Sequence, residues 1–387
     1  MHSTDTAICG IGAVTSYGWG VSSLWEGLIS GKPAARLTSG FGLDPHEAGW
    51  VGRVPDGGRS SDGRTRFMRA FRAAAREAIE DADRRGWRPG RRVGVLHGLV
   101  LGDVETVDRF YRTEGGHFKT RPEFLAMMTS SPMTGMMREF EFHGPVMDIG
   151  AMCGSGNAAL ITAKMWLDAG FADDVVVITT DLSATRPIVR GFADLNVAIT
   201  DVAPLDACRP FQVGSKGFPF AEASMAMVLS NNGTDHYAQM LGGSMTHEAH
   251  HVIAIDPSAV HLTSVVHHAL DRAGVPPHSV RYLHAHGPGT QQCDTAETAV
   301  LESIFPTTTQ IYSIKPTAGH NQSAAALVEI AASCLAWQRD LIPAPRQVAS
   351  AHPQLLDGPT RPDDGYVVKS SLGLGGQNSA IVLGPPA

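Results

Sequence analysis

Apolar residues occur in two kinds of segment along the chain, and together these predict strands that alternate with helices. Uninterrupted apolar runs at 7–14, 93–96 and 175–179 are typical of strands buried on both faces of a sheet. Between them, alanines and charged residues recur at helical spacing over 69–83, and 158–168 is a second predicted helix. A chain in which strands and helices alternate favours an α/β fold.

The second half of the chain repeats the order of the first. The predicted helix around Ala78 resembles a segment around Ala269, and each is followed by a Gly- and Pro-containing turn and a short strand. The stretch that starts at Cys153 matches in spacing the stretch that starts at His320, because each places a reactive type of residue before an Ala-rich helix. We therefore predict two similar α/β halves that face a shared site, residues 1–240 and residues 241–387.

Composition limits the classes of function. The chain has 387 residues, of which 43% are hydrophobic, with a formal net charge of −7. No segment approaches the roughly 18 uninterrupted apolar residues of a membrane span, and the opening residues 1–5 lack the basic start of a secretory signal. The acidic excess argues against a surface that coats nucleic acid. We expect a cytoplasmic protein that binds neither a membrane nor nucleic acid.

The cysteines and histidines do not suggest a metal centre. The five cysteines are widely spread and include no Cys-x-x-Cys pair, which argues against a disulfide framework and a zinc knuckle. Adjacent histidines such as His250 and His251 point in different directions on a helix or strand. We expect no metal site and no cofactor.

Cys153 is the best candidate nucleophile. It lies between a predicted strand and a predicted helix, in the turn Cys-Gly-Ser-Gly-Asn. A thiol at a helix N-terminus feels the positive end of the helix dipole, which favours the thiolate, and the backbone N–H groups there can bind an oxyanion. A buried structural cysteine is the alternative. The other cysteines lack this setting and are expected to be structural: Cys9, Cys208, Cys293 and Cys334.

A thiol nucleophile needs partners from elsewhere in the chain. His286 and His320 both lie in glycine-containing segments suited to placing an imidazole at a site, and Lys315 could be a fixed cation close to His320. Each histidine taken singly is also compatible with a structural role. The Gly-rich segment at 371–379 lacks the Lys and Ser/Thr of a phosphate-binding P-loop.

Taken together, these segments resemble the β-ketoacyl synthases, the decarboxylating condensing enzymes of the thiolase superfamily. The resemblance spans nearly the whole chain and is carried by an ordered set of motifs. The set comprises Ile-Cys9-Gly-Ile-Gly, Cys153-Gly-Ser-Gly-Asn, Cys208-Arg-Pro-Phe with Glu222, His286-Gly-Pro-Gly-Thr with Asp294 and Glu297, Lys315-x-x-x-Gly-His320 with Glu329, and Gly373-Leu-Gly-Gly-x-Asn378. It implies a thiolase-like fold, in which duplicated βαβαβαββ halves form a layered α-β-α-β-α sandwich.

The resemblance also implies a reaction. Cys153 would accept an acyl group from the phosphopantetheine thiol of a separate acyl carrier protein, and a malonyl-type extender would lose carbon dioxide and attack it. His286 and His320 would donate hydrogen bonds to the thioester oxygen, and Lys315 would hold His320 in place. The N–H groups of Cys153 and Leu374 would form the oxyanion hole. The remaining implied supports of the site are Glu297 and Glu329.

The sequence departs from the family at two loops that bind substrate. Pro288 replaces a threonine of the histidine loop, so that only Thr290 remains there. Leu374 stands where the family carries a phenylalanine that gates the acyl pocket, and Phe192 in a second loop is expected to take over part of the gating. The glycines that keep the Leu374 loop able to move are Gly375 and Gly376. These departures favour a role in polyketide or specialised fatty-acid biosynthesis.

Two kinds of protein partner are expected. Carrier proteins of such pathways are acidic, and a dense group of arginines would bind one: Arg64, Arg66, Arg69 and Arg72. The resemblance also implies a homodimer, or a heterodimer with a related ketosynthase-like subunit, with an interface beside the strand at 175–179.

Two other functions fit the same motifs. A condensing-type acyltransferase would form its product without decarboxylation, and the altered loop at Pro288 leaves this open. A non-catalytic subunit of the chain-length-factor type would bind a ketosynthase and shape its pocket. Such subunits lack the cysteine, whereas this chain retains Cys153.

Overall fold

The computed structural model describes residues 6–44, 46–113, 120–232 and 235–386. The predicted outer limits of the two halves, residues 1 and 387, and the opening residues 1–5 therefore lie outside it. The strands are β1 (Thr6–Thr15), β2 (Gly18–Trp19), β3 (Arg36–Ser39), β4 (Ala48–Val51), β5 (Val93–Gly98), β6 (Val146–Ile149), β7 (Asp174–Asp181), β8 (Ala223–Ser230), β9 (Ala238–His247), β10 (Val280–His284), β11 (Gln310–Tyr312), β12 (Tyr366–Gly373) and β13 (Gln377–Gly384).

The helices lie between these strands. They are α1 (Val21–Ile29), α2 (Arg66–Arg84), α3 (Val104–Thr113), α4 (Arg121–Ala126), α5 (Ser130–Phe140), α6 (Ser155–Asp168), α7 (Arg186–Asp194), α8 (Pro204–Ala207), α9 (Val260–Ala273), α10 (Gln291–Ile304), α11 (Lys315–Ala318) and α12 (Ala325–Arg339). Short 3-10 turns precede α6 (Met152–Gly154) and α12 (Gln322–Ala324). Within the described ranges, no helix combines the length and the apolar character needed to cross a membrane.

The two halves have the same sheet topology, which confirms the predicted duplication. The order is β6-β5-β7-β8-β1 in the first half and β11-β10-β12-β13-β9 in the second. In each half the first three strands of this order are parallel to one another, and the next two pairings are antiparallel. The predicted boundary after residue 240 falls inside β9, the strand that opens the second sheet, and remains a prediction.

A short pairing joins the two sheets. Strands β1 and β9 run antiparallel, with Thr6 opposite Met240 and Ile8 opposite Ala238. This contact links the edge strand of one half to the equivalent strand of the other, so the two halves are related by an approximate two-fold axis. Equivalent loops consequently come together near that axis.

Two helices fill the space between the sheets. Helix α12 is buried at every position from Ala325 to Ala336, and α6 packs against it. The close approach depends on Gly156, since a Cβ atom there would lie 2.9 Å from the Cβ of Ala326. Helices α2 and α9 cover the outer faces of the two sheets. The result is the layered α-β-α-β-α arrangement expected from the resemblance.

The register of the predicted internal repeat is wrong by three residues. Met152 and Gln322 have φ of 48° and 47°, and each is the first residue of the 3-10 turn before α6 or α12. The structural equivalent of Cys153 is therefore Ser323, and His320 lies three residues before it. Alanine-rich helices match one another at several registers, so the sequence comparison could not distinguish them.

The predicted interface beside the segment 175–179 does not lie at the edge of the first sheet. Strand β7, which contains the segment 175–179, lies between β5 and β8 and is paired on both sides. The outer position is taken by β6, which pairs only with β5 among the described residues. Val146 and Met147 on this edge strand are 49% and 41% exposed. A partner that extends the sheet would therefore add to β6.

Candidate active site

Three reactive side chains from different segments meet at the junction of the halves. The sulfur of Cys153 and one ring nitrogen each of His286 and His320 lie within 4.8 Å of one another. The two imidazole rings have centroids 5.3 Å apart and are inclined by 79°. Cys153 comes from the first half, and both histidines come from the second. The fold thus brings together the three residues that the sequence singled out.

Local hydrogen bonds fix the turn that carries the nucleophile. The hydroxyl of Ser155 accepts the N–H of Ala151 at 2.9 Å and donates to the carbonyl of Met152 at 2.7 Å. The N–H of Gly154 also bonds to Ala151. These contacts hold Met152 at positive φ, so that the thiol of Cys153 stands at the N-terminus of α6.

Burial raises the pKa of the Cys153 thiol to about 11, although the charge of Lys315 and the backbone N–H of Leu374 act in the opposite direction. The resting form is therefore the neutral thiol. The expectation that a thiolate is favoured is wrong, because the loss of water around the buried sulfur raises the pKa by more than Lys315 and the N–H of Leu374 lower it. The contact from Leu374 nevertheless places its N–H beside the sulfur.

The two histidines are neutral and share one tautomer. The N–H of Gln322 donates to Nδ1 of His320 at 3.2 Å, and the ammonium nitrogen of Lys315 lies 3.5 Å from Nδ1 of His286. We assign the remaining ring proton to Nε2 in both from these contacts. Burial, followed by the charge of Lys315, holds both pKa values well below 6.5. The site therefore offers two uncharged N–H donors beside the thiol.

A buried ion pair stands behind His286. The ammonium group of Lys315 binds the carboxylate of Glu329 and the backbone carbonyl of His286. Lys315 and Glu329 are 1% and 2% exposed, so the pair is shielded from water. The resemblance implied that Lys315 would hold His320. The structure places its contacts on His286 instead.

A second carboxylate fixes the loop of His286. Glu297 accepts the N–H of His286 at 2.7 Å and the N–H of Gly287 at 2.8 Å. Its first oxygen also accepts the hydroxyl of Ser370 at 2.6 Å. A buried carboxylate that receives three donors is well satisfied, and it orients the backbone of the loop from α10.

Aromatic packing holds His320 from the other side. The ring of Phe218 lies edge-on to it with centroids 4.6 Å apart, and the backbone N–H of His320 bonds to Pro219. Phe192 on α7 packs against Phe218 at 6.3 Å. Phe192 thus packs against the ring that contacts the imidazole of His320.

A cavity of about 420 Å³ opens in front of these groups. Both halves contribute to its wall, and many of the side chains are apolar. Of the substrate-binding residues predicted from the sequence, Thr290, Leu374, Phe192 and Gly376 line it, together with Pro288, Ile253, Ala254 and Ile255. Gly375 lies between two of these residues in the turn that joins β12 to β13.

The Leu374 turn is anchored at one end. Gly375 and Gly376 have φ of 92° and 87°, a backbone conformation that favours glycine. The N–H of Glu248 donates to the carbonyl of Gly376 at 2.8 Å, and the carboxylate of Glu248 accepts the side-chain amide of Asn378 at 2.9 Å. The loop after β9 therefore holds the second half of the turn and leaves Leu374 half-buried at the cavity wall.

Two family models match the chain. The N-terminal domain of the β-ketoacyl synthases matches residues 58–234, and their C-terminal domain matches residues 237–349. This chain belongs to the β-ketoacyl synthase family. Its activity is that of an acyltransferase of the 3-oxoacyl-[acyl-carrier-protein] synthase type.

Two relatives align with this synthase over almost its whole length. The 3-oxoacyl-[acyl-carrier-protein] synthase 2 of Staphylococcus aureus is 26% identical over 97% of the chain and 100% of the relative. A putative polyketide beta-ketoacyl synthase 1 of Streptomyces cyaneus is 28% identical over 98% of each chain.

Solved structures show the same fold. A ketosynthase in complex with its chain length factor from Xenorhabdus doucetiae superposes with a TM-score of 0.86 at 23% identity, over 99% of this chain and 98% of that chain. A type II polyketide ketosynthase bound to its acyl-carrier protein gives 0.85 at 22% identity, over 99% and 100%.

Three of the four arginines predicted to dock a carrier are engaged within the protein. Arg66 is 8% exposed at its side chain and forms ion pairs with Glu222 at 2.6 Å and with Glu105. Arg72 binds Glu139, and Arg69 donates to the carbonyl of Gly57 at 2.8 Å. Only Arg64 has an exposed side chain among the four. A run of arginines does not reveal which of them face buried carboxylates across the fold.

The structure adds residues to the site that the sequence did not indicate. Cys293, expected to be structural, lines the same cavity as Cys153. Lys216 lies at the cavity mouth with an exposed side chain. Lys369 is fully buried beside Glu329. The sequence signal for Lys369 is a charged residue within a strand, β12, whose other residues are mostly apolar or small.

Cys153, His286 and His320 are also the one group in the described part of the chain with donor atoms close enough to surround a metal ion. The ammonium group of Lys315 lies against His286 and opposes a cation there. We assign the three side chains to acyl chemistry, and the absence of a metal remains an expectation.

The protonation state of the histidines can be measured. We expect His286 and His320 to be neutral and protonated at Nε2 at pH 6.0, since burial and Lys315 keep their pKa values well below 6.5. Ring ¹⁵N chemical shifts, assigned with His286→Ala and His320→Ala variants, report the charge and the tautomer. The exposed His278 serves as an internal reference. Doubly protonated rings at pH 6.0 would contradict this assignment.

Proposed function

We propose that this synthase catalyses the decarboxylative Claisen condensation of an acyl group held on Cys153 with a malonyl-type extender. The observation that carries the proposal is the placement of a buried thiol and two neutral N–H donors within 4.8 Å of one another. This arrangement supplies a group that can be acylated and a pair of donors for the oxygen that becomes an enolate.

The first step loads the acyl group. The sulfur of Cys153 forms a bond to the carbonyl carbon of the carrier thioester, and the bond from that carbon to the phosphopantetheine sulfur breaks. The thiol proton leaves with the phosphopantetheine as its thiol. The N–H groups of Cys153 and Leu374, which lie beside the sulfur, stabilise the oxyanion of the tetrahedral intermediate.

The second step generates the carbon nucleophile. The bond between the extender's carboxylate and its α-carbon breaks, carbon dioxide leaves, and the electron pair forms an enolate on the thioester oxygen. His286 and His320 donate Nε2–H to that oxygen. Their neutrality matters, because a charged imidazolium would protonate the carbanion before it reached the acyl group.

The third step forms the new carbon–carbon bond. The enolate carbon attacks the acyl carbonyl on Cys153, the carbon–sulfur bond breaks, and the thiol is regenerated with a proton from solvent. Lys315, which is paired with Glu329, remains bound to the backbone carbonyl of His286 throughout and keeps its ring oriented.

The acyl group is proposed to belong to polyketide or specialised fatty-acid biosynthesis. Pro288 and Ile253 make the cavity wall more apolar than hydroxyl side chains would, and Leu374 is smaller than an aromatic gate. Relaxed selectivity for bulky acyl chains follows from these features. A condensing acyltransferase without decarboxylation is the second candidate, favoured by the loss of a hydroxyl at position 288.

Acyl loading and carbon dioxide release test the function together. We expect intact mass spectrometry to show one acyl group added per chain from carriers with short, long and branched acyl groups, and labelled malonyl carrier to release carbon dioxide. Cys153→Ala should gain no mass, while Cys293→Ser, which changes the other thiol of the cavity, should still load. The reason is that Cys153 alone stands beside the backbone donors.

Each other outcome of this experiment favours a different function. Loading without release of carbon dioxide would support the acyltransferase. Neither loading nor release would support a non-catalytic subunit. A Cys153→Ala variant that still becomes acylated would contradict the assignment of the nucleophile.

The carrier is proposed to dock at the cavity mouth. The exposed Lys216 would attract the phosphate of phosphopantetheine, while Arg64 is the one exposed member of the arginine group predicted to bind the carrier. We also propose assembly with a second copy or a related subunit along β6. The cytoplasmic location remains a prediction.

Charge reversal at the mouth tests the docking site. Lys216→Glu should raise the KM for the acyl carrier several-fold, and more at low than at high salt, since an exposed charge is screened by salt. Lys32→Glu, an exposed lysine of the first half away from the cavity, is the matched control. Equal KM values for the three proteins at low salt would exclude Lys216 from docking, and an increase with Arg64→Glu alone would favour the arginine surface.

A further inference from the structure

Lys369 forms a second buried ion pair behind the histidines. Its side chain is 0% exposed, and its ammonium nitrogen lies 2.8 Å from Oε2 of Glu329. It also donates to the carbonyls of Ala285 at 3.4 Å and of Ser370. The other oxygen of Glu329 binds Lys315. One carboxylate therefore lies between two ammonium groups, of which only Lys315 reaches His286.

The buried cluster of ionisable groups behind the histidines has zero net charge only when Lys369 is included. In their ionised forms, Lys315 and Lys369 supply two positive charges and Glu329 and Glu297 supply two negative charges, and all four residues have at most 2% exposure. Burying a charge in a protein is unfavourable unless an opposite charge compensates it. Removing one partner of a buried pair therefore destabilises the site, because the remaining charge is left without compensation. Without Lys369, the cluster would hold one more carboxylate than ammonium groups. Glu329 would then draw Lys315 toward itself and away from His286.

We propose that Lys369 is a positioning residue for the condensation, which occupies one oxygen of Glu329 so that Lys315 stays on His286 and both histidines stay uncharged. The inference deepens the proposed function and rests on it. Lys369 lies behind the residues that line the cavity, so it acts through its neighbours and does not touch substrate.

The surrounding charges support this role. Burial is the main cause that lowers the pKa of His286 and of His320, Lys315 adds to it, and Lys369 acts in the same direction on both. Burial also lowers the pKa of Lys369, whereas the charge of Glu329 raises it. The titratable groups that face Lys369 are Glu329 from α12, Lys315 from α11, Glu297 from α10 and His284 from β10.

His284 does not supply the positive charge that balances Glu329. It lies opposite Lys369 in the neighbouring strand, and its Nδ1 is bonded to the hydroxyl of Ser333 at 2.9 Å. Burial keeps its pKa well below 6.5, so it carries no charge at neutral pH. The charge that balances Glu329 on this side therefore comes from Lys369.

Replacement of Lys369 by a residue of similar length without charge tests the proposal. In Lys369→Met, the unbalanced carboxylate favours protonated histidines, so the acid limb of the pH profile for carbon dioxide release should move to higher pH. The kcat at pH 7 should fall on the order of tenfold, because small displacements of a catalytic group are costly. The KM for malonyl carrier and the extent of acyl loading should stay within twofold.

Two further variants separate positioning from a general loss of structure. Lys164→Met removes another buried lysine, which is paired with Asp168 on α6, and should leave the pH profile unchanged even if the unfolding midpoint drops. The double variant Lys369→Met/Glu329→Gln removes both members of the pair, which restores the charge balance. Its acid limb should return toward that of the wild type. If Lys369→Met does not fold, Lys369→Gln, which removes the charge but keeps a donor for the carbonyls of Ala285 and Ser370, should show the same shift of the acid limb as expected for Lys369→Met.

The results distinguish this inference from the proposed function. If the wild type releases no carbon dioxide, the proposed function is wrong. If the wild type does so and Lys369→Met shows the same kcat and pH profile, only the role of Lys369 is excluded. An equal shift of the acid limb in Lys164→Met would also exclude it.

Discussion

The carboxylate of Glu329 is the group on which the chemistry of this site depends. It is buried between two lysines, and one of them is the contact that holds the backbone and ring of His286. In a medium that excludes water, such a pair is stable only while each charge keeps its partner. The requirement fixes the relative positions of α11, α12 and β12, and it keeps a positive charge beside two imidazoles that must stay neutral.

Burial determines the state of each reactive group in the same way. It raises the pKa of Cys153 to about 11 and lowers the pKa of both histidines, so all three are uncharged at rest. A neutral thiol is protected until a thioester arrives, and neutral histidines can donate without quenching a carbanion. The duplicated fold makes this arrangement possible, because the nucleophile and the donors come from corresponding ends of two like halves.

Much of this arrangement could be predicted from local sequence. Cys153 was identifiable because the turn before an Ala-rich helix is a local feature, and the duplication was visible in the spacing of the second half. The protonation state of Cys153 could not be predicted from the sequence, since desolvation depends on which residues the fold packs over the thiol. The same reason explains Arg66, which looks like part of a basic surface but binds the buried Glu222 from 156 residues away. The pairing of Lys369 could not be predicted, because its partner, Glu329, lies in a different element and only the fold brings them together.

Acyl loading and carbon dioxide release by His286→Ala, measured on one preparation, test most directly whether the halves divide the chemistry. If Cys153 and the backbone donors load the acyl group while the histidines stabilise the enolate, loading should remain within a few-fold of the wild type. Release of carbon dioxide should then fall on the order of 10²–10³, the usual effect of removing one donor to an oxyanion. Equal loss of both activities, or carbon dioxide release at the wild-type rate, would contradict the account.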